Sequence, residues 1–110
     1  YNGVNELNFS ALIEKYQEGG LNYKTTDNLP YGTSWNAKHN YTDGMNVTTW
    51  VATNIKSIQI VRTIEFPFAY SNGELVYPDK LRKFGHGMAR ALRAYAEGEV
   101  LVSEMPQSAE

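Results

Sequence analysis

Residues 56–67 read Lys-Ser-Ile-Gln-Ile-Val-Arg-Thr-Ile-Glu-Phe-Pro. Ile58, Ile60, Val61, Ile64 and Phe66 crowd β-branched and aromatic side chains into a short run, and such side chains fit a pleated, packed surface. The run is too continuous for a strand with one wet face. It predicts a strand over Lys56–Phe66 covered on both faces, as in α/β proteins. Pro67 has no N–H to donate and ends the ladder. One carboxylate interrupts the apolar run near its carboxyl end. Burying Glu65 there without a partner is costly, and ligands of open α/β sheets bind at the carboxyl ends of strands. Glu65 therefore reads either as a functional group or as one half of an ion pair, with Arg62 or with a helix.

Downstream, Ser71-Asn72-Gly73 is a turn signal. Pro78 sits where a first helical residue would, since its missing N–H costs nothing there. A helix follows to about Glu97, with Leu81, Phe84, Met88, Leu92 and Tyr95 as its buried face and Lys80, Arg82, Lys83, Arg90 and Arg93 in solvent. Gly85 and Gly87 each cost about 1 kcal/mol against alanine in a helix, which marks them as points of close packing or a mild kink. Gly98 ends the helix. Residues 99–110 form a tail with one apolar pulse, Val100–Val102, expected to fray or to add an edge strand.

Upstream, Phe9, Leu12, Ile13 and Tyr16 make one apolar stripe at helical spacing, with Asn8 as the expected N-cap and Gly19-Gly20 as the stop. Residues 21–46 are rich in Asn, Thr, Tyr and Gly, a functional loop region rather than a plain connection. Asn46 caps a short helical stretch that ends near Asn54. Helices, loops and one strong strand belong to an α/β layer architecture. One strand makes no sheet, so residues 1–98 read as part of a larger domain.

The chain has 110 residues, a formal net charge of -2 and no cysteine. No strong basic patch is present, which argues against nucleic acid as a partner. No apolar run is long enough to span a membrane. Without cysteine there is no disulfide and no thiolate ligand; this leaves the compartment open, secreted or periplasmic included. A chain that opens on Tyr1 reads as processed or trimmed. Asn-X-Ser/Thr triplets start at Asn8, Asn40 and Asn46.

Three segments occur in order: Tyr-Gly-Thr-Ser (31–34), Tyr-Thr-Asp-Gly-Met-Asn-Val-Thr-Thr-Trp (41–50) and Thr-Ile-Glu-Phe-Pro-Phe-Ala (63–69). Together they resemble the C-terminal half of the zinc metallocarboxypeptidases of the carboxypeptidase A type, over residues 21–97. The resemblance implies part of a three-layer αβα domain with a mixed sheet, closed by the long C-terminal helix. It implies a hydrolase that cleaves a peptide or amide bond, with a peptide or N-acyl amino acid as substrate. Glu65 then matches the general base that activates a zinc-bound water. Tyr41 matches a loop tyrosine that closes over the substrate carboxylate. Thr48 falls near the residue that tunes the side-chain pocket, and Thr63 matches a pocket-lining position.

Departures accompany the match. Phe66-Pro67 replaces the Leu-Arg of the digestive enzymes, and the interval from Trp50 to Glu65 is slightly longer than the family pattern. The family's His-X-X-Glu pair and later histidine are absent. His39 and His86, the chain's two histidines, sit in no ligand motif, and an open catalytic zinc site needs three protein ligands. Zinc is therefore expected in the complete domain and not in this chain alone. The resemblance makes the missing N-terminal half of the domain a partner, and an uncovered half-sheet is expected to self-associate. The competing readings are a non-catalytic binding module, for sugars by way of Tyr23, Tyr31, Trp35, Tyr41 and Trp50, and a metal-free pseudoenzyme domain.

Overall fold

The computed structural model describes residues 2–29, 44 and 46–106. In chain order these form α1 (Gly3–Tyr16), a 3₁₀ turn (Thr25–Asp27), α2 (Val47–Asn54), β1 (Tyr70–Ser71), β2 (Glu74–Leu75) and α3 (Pro78–Ala96). The result is a small mixed helix and strand domain built around the packing of α1 on α3.

The apolar stripe of α1 is as expected: Phe9, Leu12 and Ile13 are buried and Tyr16 packs against them. The start is not. Asn2 caps the helix, its Oδ1 accepting from the backbone N–H of Val4 at 3.0 Å and of Asn5 at 3.2 Å. Asn8 is instead buried mid-helix and holds the tail. Its Nδ2 donates to the Glu99 carbonyl at 3.1 Å, and its Oδ1 accepts from the N–H groups of Leu101 and Val102 at 2.7 and 3.1 Å. Its burial also removes it as a glycosylation acceptor. Residues 99–102 thus neither fray nor add a strand; they are strapped to α1.

α3 starts at Pro78 and stops at Gly98, as its punctuation requires. Gly98 adopts φ +91°; its N–H bonds the Tyr95 carbonyl and that of Glu99 bonds the Ala94 carbonyl, the paired bonds of a Schellman cap. The buried line along α3 is Phe84, Gly87, Ala91 and Ala94, with Leu81, Met88 and Tyr95 at its margins. Leu92 faces solvent, 50% exposed. Beyond Phe84 the buried line is made of small residues, Gly87, Ala91 and Ala94, which let the two helices approach.

Gly87 shows how close that approach is. A Cβ built there would lie 2.6 Å from the Tyr16 carbonyl oxygen and 2.8 Å from the Gln17 Cα. Both are backbone atoms and cannot rotate away. Gly85 meets nothing within 4 Å, so the two helical glycines have opposite roles. Gly87→Ala should lower stability by about 1–3 kcal/mol through overpacking, whereas Gly85→Ala should raise it by about 1 kcal/mol through helix propensity. Urea midpoints at an unchanged slope give both values.

The segment 56–66 departs from expectation. None of it lies in a strand; residues 59–66 make no backbone–backbone hydrogen bond among the described residues. A ladder needs a neighbouring strand, and the neighbours of this segment are helices. Ile60 packs on the core and Phe66 meets Phe84 edge-to-face at 5.5 Å. The strands present are instead a two-stranded antiparallel hairpin around the predicted turn, with Tyr70 opposite Leu75. Asn72 and Gly73 take positive φ values of 47° and 84°, as a tight Asn-Gly hairpin turn requires. α2 is capped by Asn46, whose Oδ1 accepts from the Thr49 N–H at 2.8 Å. Among the described residues no helix is long and apolar enough to cross a membrane.

Candidate functional site

A cleft of about 380 Å³ opens between α1, the 3₁₀ turn, the segment 62–66 and α3. Ile13, Leu29, Ile64, Tyr23, Phe66 and Phe84 give it apolar walls; Asp27, Asn28, Arg62, Thr63 and Glu65 supply its polar groups.

The segment that carries Thr63 and Glu65 is held at its base by an ion pair. Glu6 Oε2 lies 2.8 Å from Arg62 Nη2, with side chains only 11% and 17% exposed. Glu6 Oε1 accepts from the Val61 N–H at 2.7 Å, and Arg62 Nη2 also donates to the Glu6 carbonyl at 2.9 Å. The Arg62 guanidinium lies 5.0 Å from the centre of the Phe9 ring. A buried charge is tolerated when it is paired and hydrogen-bonded in this way.

The far wall is fixed by amide and hydroxyl contacts. Gln17 clasps the backbone of Tyr23 from both sides, accepting from its N–H at 2.8 Å and donating to its carbonyl at 2.9 Å. The Tyr23 hydroxyl donates to Asn28 Oδ1 at 2.8 Å. Asp27 Oδ2 accepts from the Lys24 N–H and from Asn72 Nδ2, tying the 3₁₀ turn to the hairpin.

Glu65 and Thr63 both reach this cleft, and both are exposed. The Thr63 hydroxyl lies 2.7 Å from that of Thr48, which joins the segment to α2. The three residues singled out from the described part of the sequence are thus neighbours. Tyr41 lies outside the described residues, as do Tyr31, Trp35 and His39. Of the remaining aromatics, Tyr23 turns inward against Phe84 and Trp50 is 53% exposed on α2.

Two expectations about Glu65 are corrected. It is not buried at a strand end, because the segment forms no strand and its carboxylate faces solvent. Nor does it pair with Arg62, which Glu6 already holds. A carboxylate at the rim of an aromatic cleft can accept a proton from water or bind a cation, and the Thr63 hydroxyl can orient a polar group beside it.

Among the described residues no three His, Asp or Glu side chains gather in a way that could hold a metal. His86 is exposed on α3, its Nδ1 2.6 Å from Glu18 Oε2, with Arg90 Nη1 at 3.4 Å. The His86 contact above all holds the Glu18 carboxyl below its usual range; desolvation opposes it, and the Arg90 contact adds to the lowering.

Glu6 is the residue that sequence reading passed over. It lies three before Phe9 on the same stripe, and an acid on a core-facing helical position calls for a partner. That was its signal. Comparison of the chain with protein-family models, with curated proteins and with solved structures finds no match.

Proposed function

We propose that the chain is the C-terminal portion of a hydrolase domain of the zinc metallocarboxypeptidase type, and that Glu65 is its general base. The observation that carries this reading is the convergence of Glu65 and Thr63 on one aromatic-walled cleft, with Thr48 hydrogen-bonded to Thr63. The ordered motifs at 31–34, 41–50 and 63–69 support it.

In this reading Glu65 takes a proton from the attacking water and returns it to the leaving amine. Thr63 and Thr48 present hydroxyls to the substrate side chain, which favours a small or polar group. Tyr41 orients the terminal carboxylate of a peptide or N-acyl amino acid. The metal and its ligands come from the N-terminal half of the domain. That half would also cover Glu65. The completed domain is a three-layer αβα fold, in which the segment 56–66 gains strand neighbours.

The coding sequence upstream of Tyr1 tests the proposal without a biochemical assay. A His-X-X-Glu pair followed by a later histidine is expected there. An upstream sequence with no such ligand set would remove the hydrolase reading and leave the metal-free pseudoenzyme domain.

A further inference from the structure

The sequence holds two Asn-Gly pairs, Asn2-Gly3 and Asn72-Gly73. Glycine has no side chain to screen its amide nitrogen, so such a pair leaves the asparagine side chain open to attack by the next residue's nitrogen. The structure gives the two asparagines opposite tasks. Asn2 caps α1 with its oxygen, as acceptor, and a carboxylate can do the same. Asn72 works through its nitrogen: Nδ2 donates to the Asn22 carbonyl at 2.7 Å and to Asp27 Oδ2 at 2.8 Å. A carboxylate has no hydrogen to give either acceptor. Asn72 and Gly73 are both exposed, and the Gly73 N–H has no hydrogen-bond partner among the described residues. The hairpin that carries them has two residues in each strand, and a ladder that short opens readily.

We propose that Asn72 is a deamidation site, and that its conversion releases the hairpin from the wall of the cleft. The Gly73 amide, its proton taken by hydroxide, attacks Asn72 Cγ. The new N–Cγ bond closes a five-membered succinimide; the Cγ–Nδ2 bond breaks and Nδ2 leaves as ammonia. Water then opens the ring at either carbonyl and leaves an aspartyl or isoaspartyl carboxylate. The reaction needs water and hydroxide alone. Either product trades two donated hydrogen bonds for a negative charge facing Asp27, and like charges so close repel. The isoaspartyl product also routes the chain through Cγ, which adds a methylene to a turn whose length sets the hairpin register. Asp27 lines the cleft beside Asn28, so that wall loses its tie to Asn72. Ser71 Oγ still donates to the Leu21 carbonyl at 3.0 Å, so the change is a local loosening and not unfolding. The inference stands on the chemistry of the hairpin and not on the hydrolase reading.

Ageing the full chain at mildly alkaline pH tests it, with its peptides mapped by mass and assayed for isoaspartate. Amide loss should fall on residue 72 and quicken as hydroxide rises. Hydrogen exchange at amides 23–28 should be about tenfold faster in the aged chain, while α1 and α3 stay protected. Asn72→Asp stands in for the aspartyl product. It should lower the melting temperature by about 4 °C or more, the shift that loss of one hydrogen bond of ordinary worth causes in a domain of this size. Asn2→Asp should leave the melting temperature unchanged or raised, since an acid caps the helix and suits its N-terminus. An Asn72 that keeps its amide in the full chain long after a free peptide of residues 69–76 has converted would overturn the proposal. An Asn72→Asp chain with the melting temperature and exchange of wild type would overturn it equally.

Discussion

Replacing Glu6 with alanine should destabilise the chain by about 3–5 kcal/mol, the cost of leaving a buried charge without its partner. The substitution strips Arg62 of its carboxylate while the guanidinium stays packed over Phe9. It also strips the Val61 N–H of its acceptor. A small domain has only about 5–15 kcal/mol to lose, so the variant should be close to unfolding at ordinary temperature. Glu6→Gln keeps an acceptor for Val61 and removes only the charge, so it should fall between alanine and wild type. Pairing Glu6→Ala with Arg62→Met should recover part of the loss, since both ends of the pair are then gone. Urea unfolding of the four proteins reads all of this. A loss below about 1 kcal/mol for Glu6→Ala would place the pair among ordinary surface ion pairs.

The helices were legible because their ends carry chemistry of their own. Pro78 and Gly98 bracket α3 through what each does to the backbone, and Asn46 caps α2 with its own side chain. The hairpin turn at Asn72-Gly73 was legible for the same reason. Asn8 misled because an asparagine ahead of an apolar stripe looks like a cap. Its real partners, Glu99, Leu101 and Val102, are far away in sequence, and no local pattern announces them. Leu92 misled because size was taken for burial, whereas the contact line follows Gly87, Ala91 and Ala94.

Segment 56–66 misled for a deeper reason. Ile58, Ile60, Val61, Ile64 and Phe66 report what the segment would fit, which is a covered strand. They do not report whether a neighbouring strand is there to pair with it. In this chain the segment's contacts are Glu6 and the helices, so the apolar composition is satisfied only in part and Phe66 and Ile64 remain partly exposed. The candidate site shows the same division. Glu65 and Thr63 are two residues apart, and their joint appearance in a cleft follows from that. The hydrogen bond between Thr63 and Thr48 spans a helix and a turn; only the family resemblance linked those two residues beforehand.

Glu65→Gln in the complete, metal-loaded parent domain should lower kcat by about 10²–10⁴-fold, the usual worth of a general base. Glutamine keeps the shape and an acceptor oxygen but cannot take the proton. Folding should be unaffected, because Glu65 is exposed and has no hydrogen-bond or ion-pair partner among the described residues. Zinc content should also hold, since Glu65 is not assigned as a ligand. The measurement that tests the central claim most directly is kcat per folded, zinc-loaded molecule for wild type and Glu65→Gln, with melting temperatures taken on the same preparations. A loss of two orders of magnitude or more at equal melting temperature and equal zinc is the predicted result. Turnover near that of wild type in a fully loaded Glu65→Gln domain would contradict it.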